Sequence, residues 1–278
     1  MIKTSHVLAP LALTLICSAA LAQASGEPAA AEASAQTLTG NLSLVSDYRF
    51  RGISQSWGQP AVQGGFDYTH ASGLYLGNWN SSVSSNSYNN GASLEVDLYG
   101  GYRFDLAPEW GADLGLLHYL YPSARLNSAP AQPSANAYDN TELYVGLSHG
   151  PFSAKLSYAV SDYFGLKGDT AAYAYWSALP NRGGSRGSTY LDLNYNLDLG
   201  DQLTLGLHLG HTSVRHYGEL SYTDYKIGLT QDWHGLTLGA ALVGSNADTA
   251  YYQAGNSAGA DARKLGRPSV VLSLGKTF

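Results

Sequence analysis

The chain has 278 residues, of which 13% are charged, with 21 tyrosines, 32 glycines and a formal net charge of −6. So few charges are unusual for a water-exposed domain of this size, the Tyr and Gly load suits strands and turns better than helices, and the acidic balance leaves no footprint for nucleic acid. After the N-terminal segment no apolar run reaches the ~18 residues of a helical span, so a membrane protein of this composition has to be a closed β-barrel.

Lys3, the apolar stretch Val7 to Ala20 and the small-residue site Ala20-Leu21-Ala22 read as a secretory signal peptide over residues 1–22. The stretch is shorter than a membrane span, which argues against an uncleaved anchor. Cys17 is the only cysteine and leaves with the signal; Ile16 before it replaces the small residue a lipoprotein signal wants. The mature chain then has no disulfide, thiolate metal site or cysteine nucleophile. Residues 23–36, mostly Ala, Ser and Glu, bury too little apolar surface to order and read as a flexible periplasmic lead-in. Residues 37–278 read as one barrel domain.

From Thr37 onward, segments of roughly ten residues alternate in polarity, the signature of a transmembrane barrel. In the first, Leu38, Gly40, Leu42, Leu44, Tyr48 and Phe50 oppose Thr39, Asn41, Ser43, Asp47, Arg49 and Arg51. In the fourth, Leu94, Val96, Leu98 and Tyr102 oppose Glu95, Asp97 and Arg103; in the eighth, Leu191, Leu193 and Leu197 oppose Asp192 and Asn194. Side chains alternate across a strand, so each segment has a lipid-compatible face and a wet one. An Arg on the lipid face near midplane costs roughly 2–4 kcal/mol, and a single register hides Glu95, Asp97 and Arg103 together. Val45 and Val243 break the parity, and the third and fifth segments, Leu74 to Val83 and Trp110 to Tyr121, show no clean face.

Twelve strands are expected, starting near Leu38, Ala61, Leu74, Ser93, Trp110, Asn140, Phe152, Thr189, Gln202, Ser221, Gly235 and Pro268. Short connections alternate with long polar ones: Gly52 to Pro60, Ser84 to Ala92, Pro122 to Asp139, Gly165 to Ser188, Ser213 to Leu220 and Ser245 to Arg267. Outer-membrane barrels place short turns in the periplasm and long loops outside, which puts both barrel termini in the periplasm. Phe278, closing the strand of Val270, Leu272 and Leu274, resembles the signal read by outer-membrane insertion machinery, although Lys276 stands where an apolar residue is usual.

The run Ser46-Asp47-Tyr48-Arg49-Phe50-Arg51-Gly52-Ile53-Ser54-Gln55 resembles the opening signature of the TorF porin family. Gly73 to Trp79, Leu94 to Arg103, Tyr119 to Pro122, Glu142 to Gly146 and Ser221 to Tyr225 are similar to its later blocks, so the resemblance covers about Leu38 to Phe278. It implies an outer-membrane barrel and brings no established substrate.

Other chemistry is weighed against this reading. His208 and His211 fall on opposite faces of a strand and cannot chelate together, and no metal or other cofactor is expected. Glu95 with Asp97 suits acid–base or calcium chemistry, but a lumen with Arg partners explains them better. Ser148 and His149 are adjacent and point apart, so no lipase-like triad assembles, and no enzyme activity is expected. Tyr48, Trp79, Tyr102, Tyr121, Tyr163 and Tyr195 read as interfacial girdles. By parity the pore-lining residues are Asp47, Arg49, Arg51, Asp67, Glu95, Asp97, Arg103, Asp113, Glu142, Lys155, Asp192, Asp224 and Lys226. The reading is a twelve-stranded outer-membrane barrel passing small solutes or ions with weak cation preference. Its expected partners are outer-membrane lipid and the assembly machinery. The alternatives are a closed structural or adhesion barrel acting through its loops, and a lipid-modifying enzyme.

Overall fold

The computed structural model describes residues 36–87, 91–255 and 262–278. The expected signal peptide and the lead-in up to residue 35 lie outside the described residues. Twelve strands form the wall: β1 (Gln36–Val45), β2 (Ala61–His70), β3 (Leu74–Ser82), β4 (Leu94–Ala107), β5 (Trp110–Ala129), β6 (Gln132–His149), β7 (Phe152–Ala159), β8 (Thr189–Asp198), β9 (Leu203–Ser213), β10 (Tyr222–Trp233), β11 (Leu236–Ser245) and β12 (Ser269–Thr277). Each pairs antiparallel with its sequence neighbours, and β12 pairs back with β1, so the sheet is a closed barrel. Closure leaves no backbone edge unpaired, which lipid demands. The last residue completes it: Gly40 N donates to Phe278 O at 2.7 Å and Phe278 N donates to Gly40 O at 2.9 Å.

The alternation holds around the wall. Cross-strand partners share a face, and the outward ones are apolar: Leu38 is 69% exposed, Leu76 65% and Val270 66%, with Phe66, Leu98, Leu114, Leu147, Leu209 and Ile227 also exposed. A barrel with this outer surface needs lipid around it. The third and fifth segments now have orientations. Tyr75, Trp79 and Ser81 of β3 and Asp113, Leu117, Tyr119 and Tyr121 of β5 are buried inward, while Leu74, Leu76, Leu114 and Leu116 face out. Periodicity missed them because both faces carry apolar side chains there.

Two expectations are corrected. The stretch 122–139 is no loop: β5 and β6 run on past the other strands to a turn at Pro130 and Ala131, where Ala129 pairs with Gln132. Its prolines read as loop signals, but the ladder between Leu120 and Ala129 is irregular, and proline is tolerated at such bulges. Secondly, β1 ends at Val45, so the parity carried through to Phe50 and Arg51 does not apply. Beyond Ser46 the chain leaves the wall and residues 47–56 fold inward, and the interior holds an apolar core where the strands end in long loops. Val45 and Val243, which broke the pattern, are inward residues covered by that core.

Candidate functional site

The interior has two zones. Towards the short turns the inward side chains reach water: Asn196 and Asp198 are exposed, and Asp67, Arg103, Lys155, Lys226 and Asn194 are half-buried. Towards the long loops they are buried: Glu95 and Asp97 are 0% exposed, and Glu142, Asp192, Asp224, Tyr190 and Tyr222 are nearly so. The lumen is therefore a wet vestibule from one end and is filled at the other.

The filling comes from the long loops, and the one between β1 and β2 reaches furthest across, while Phe164 and Leu166, Tyr217 and Leu220, and Tyr252 and Leu265 join it from the others. Arg49–Phe50 pairs with Ile53–Ser54 as a miniature hairpin, whose tip residues Arg51 and Gly52 both have positive φ, 47° and 77°. A two-residue turn of this hand demands that. The hairpin spans the bore. Arg51 Nη2 donates to both carboxylate oxygens of Glu142 on β6, at 2.9 and 2.7 Å, and its guanidinium lies 4.0 Å from the Tyr190 ring centroid on β8. Gly52 is pressed against β10 and β11, so that a Cβ would stand 2.7 Å from Asp224 Cβ and 2.8 Å from Gly244 O. Asn140 Nδ2 donates to Glu142 Oε1 at 3.0 Å and supports the acceptor. Phe50 packs edge-on against Tyr119 and Phe164, with centroids 5.4 and 5.8 Å apart. Phe164 arrives from the loop 160–188 and also packs on Tyr121 and Tyr138. Tyr163 beside it is buried among these rings, and burial raises its hydroxyl pKa.

The root of the hairpin is clasped separately. Arg49 Nε donates to Asp47 Oδ2 at 2.5 Å, and its other nitrogens donate to Gly52 O, Leu265 O, Arg267 O and Ser269 Oγ. Asp47 also accepts from Ser54 and Ser56. Asp47 and Arg49 thus tie the hairpin to the segment before β12; they do not reach the bore by strand parity. Arg51 does reach it, on the hairpin tip.

Charges on the wall fall into two groups. On one side Arg103 Nε lies 3.4 Å from Asp113 Oδ2 and stacks 4.1 Å from the Tyr75 ring centroid, and Tyr75 donates to Asp113 at 2.6 Å. Tyr75 and Tyr144 also share a hydrogen bond, and Tyr99 donates to Asp67 Oδ1 at 2.6 Å. On the other side His208 bridges Asp192 and Asp224, at 3.2 and 2.8 Å, with Lys155 Nζ 3.8 Å from Asp192. Glu95 and Asp97 sit apart. Tyr48 donates to Glu95 Oε1 at 3.0 Å, and among the described residues no basic side chain is within ion-pair distance of either acid. His211 is on the opposite face, held to Thr223 at 3.0 Å, as alternation requires.

Sequence reasoning missed the aromatic role. Of the six residues assigned to girdles, Tyr48, Trp79, Tyr121 and Tyr163 are buried inside; Tyr102 faces out at 42% exposure and Tyr195 pairs outwardly with Phe152. Several inward tyrosines lie over cross-strand glycines, Tyr99 on Gly77, Tyr144 on Gly115 and Tyr190 on Gly210, covering backbone that glycine leaves bare. That Gly–Tyr pairing was a usable signal, but only with the register known.

A model of the family described as a bacterial protein of unknown function (Gcw_chp) matches residues 29–278. No curated protein matches. Among solved structures, the NanC porin is similar at 12% identity, over 87% of this chain and 99% of that one, with a TM-score of 0.50. The KdgM porin follows at 11%, over 86% and 98%, with 0.48. The outer membrane protein OprD from Pseudomonas aeruginosa stands at 13%, over 86% and 65%, with 0.35. At such identities the NanC likeness is one of fold alone.

Proposed function

The chain belongs to the Gcw_chp family of bacterial proteins, and we propose that it is an outer-membrane, porin-like channel for small solutes or ions, closed at its outer mouth by the hairpin of residues 49–54. Its short turns face the periplasm, its long loops face outward, and Phe278 serves the assembly machinery as insertion signal. The likeness of Ser46 to Gln55 to the TorF porin signature belongs to this reading. One observation carries it: an apolar-faced closed barrel encloses a charged vestibule that water enters from one end and that inward-folded loops block at the other, with the hairpin of residues 49–54 held by the buried Arg49–Asp47 and Arg51–Glu142 pairs at the centre of that block.

We treat the protein as a passive, non-enzymatic channel with weak cation preference. The wall contributes Asp67, Glu95, Asp97, Asp113, Glu142, Asp192 and Asp224 against Arg103, Lys155 and Lys226, and low-dielectric walls focus such an excess. The packed aromatic interior favours a second reading, a closed barrel that works through its loops. Planar-bilayer recording separates the two. Replacing residues 49–54 by a Gly–Ser linker is expected to turn small, rare openings into steady cation-preferring conductance. A barrel that stays silent after this replacement overturns the channel and leaves the closed barrel.

A further inference from the structure

Away from the lumen, a cleft of about 230 Å³ opens between the loop after β1 and the segment before β12, walled by Trp57, Arg263, Lys264, Arg267, Ser269 and Val270 among others. Of its bases, Arg49 is committed to Asp47 and the hairpin root, and Arg263, Lys264 and Arg267 remain. Arg263 is pinned, its guanidinium 4.2 Å from the Trp57 ring centroid and its Nη1 donating to Trp57 O at 2.9 Å. Gly58 leaves room for it: a Cβ there would stand 2.8 Å from Arg263 Nη1. Lys264 and Arg267 are exposed, and among the described residues no carboxylate is within ion-pair distance of Arg263, Lys264 or Arg267. The acid in the wall, Asp47, is neutralised by Arg49 and hydrogen-bonded by Ser54 and Ser56. The cleft is therefore cationic.

Its floor is of the opposite character. Val270 belongs to the outward face of β12, and Leu272 beside it and Leu44 on β1 continue that face, 66%, 56% and 52% exposed. A cationic cleft set directly over an exposed apolar strip matches an amphiphile with an anionic head. Guanidinium groups fit phosphate oxygens in a fork, and Lys adds a point charge.

We propose that this cleft binds the phosphate headgroup of a membrane lipid whose acyl chains lie along Val270, Leu272 and Leu44. The chemistry recognised is a phosphate monoester on an apolar anchor; free phosphate supplies the head without the anchor, and the test keeps the two apart. The inference needs only that the barrel sits in lipid and is independent of conduction.

The full chain, folded in neutral detergent and checked by heat-modifiable migration, is titrated with phosphatidic acid or with phosphatidylcholine of the same acyl chains, and bound lipid is counted by native mass spectrometry. One phosphatidic acid is expected to bind, with phosphatidylcholine much weaker. Lys264→Glu with Arg267→Glu is expected to weaken phosphatidic acid by more than about thirtyfold, the worth of two bases near a membrane surface. Lys264→Gln with Arg267→Gln gives the same direction should charge reversal disturb folding. Inorganic phosphate is expected to compete only at far higher concentration. Equal binding of the two lipids, unchanged binding by the variants, or inorganic phosphate as tight as the lipid overturns the proposal.

Discussion

Arg51 and Glu142 form a pair buried on both sides, 5% and 2% exposed, with a forked hydrogen bond. Desolvating two charges is expensive, and removing one partner strands the other. Glu142→Gln is therefore expected to cost about 3 kcal/mol of stability, read as a lower urea midpoint for loss of the heat-modifiable form. Arg51→Met with Glu142→Leu is expected to cost much less, because no charge is left unpaired. Equal midpoints for Glu142→Gln and the native chain contradict the role of the pair. The pair on the long loops, Arg182 with Glu219 at 2.6 Å, is a different case. It pulls the Glu219 carboxyl below its ordinary pKa by hydrogen bonding, yet it is exposed and screened and holds little. None of these partnerships follows from composition: Arg51 and Glu142 lie 91 positions apart, and only the inward fold of the hairpin brings them together.

At the level of elements, the strands were legible and some of their connections were not. Eleven of the expected strand starts lie within two residues of those observed; the exception is β6, which begins at Gln132. Alternation is a local signal, repeated along each strand, and lipid enforces it on every outward position. A loop has no such repeat. Whether residues 47–56 wave in water or cross the bore depends on distant partners such as Tyr190 and Asp224. The alternation of short turns with long loops supports an orientation that labelling can test. A cysteine at Asn181, exposed in the loop between β7 and β8, is expected to react with a membrane-impermeant maleimide on intact cells, and one at Asp201, in the turn before β9, is not. The reverse pattern inverts the topology.

For the whole molecule, conduction and selectivity depend on which charges face the open path. With the hairpin seated, Arg51 neutralises Glu142 and the aromatic core seals the half next to the long loops. With it displaced, Glu142 loses Arg51 and joins Glu95 and Asp97, so that three acids without a basic partner within ion-pair distance among the described residues line the constriction. Charge rings set ion preference in pores, so Glu95→Gln with Asp97→Asn, made in the linker-replaced background, is expected to move the reversal potential toward anions. The shift should fade as salt shortens the Debye length from about 10 Å at 0.1 M towards about 3 Å at 1 M. An unchanged reversal potential at low salt places those two acids off the conducting path.

The sequence by itself determined an all-β closed barrel of about twelve strands, ten to fourteen being compatible with the alternation, and the inward side of Glu95, Asp97, Arg103, Glu142, Lys155 and Asp192, since period-two alternation against lipid admits a single register within each strand; the count of twelve is settled by the closed sheet. It could not determine the fate of Asp47, Arg49 and Arg51, the interior burial of Tyr48, Trp79, Tyr121 and Tyr163, or the hairpin extension of β5 and β6. Those depend on contacts far apart in the chain, where a tyrosine satisfies an interfacial girdle and an internal core equally well. Only the closed barrel, with a bore narrow enough for one hairpin to span, decides which surroundings each side chain has.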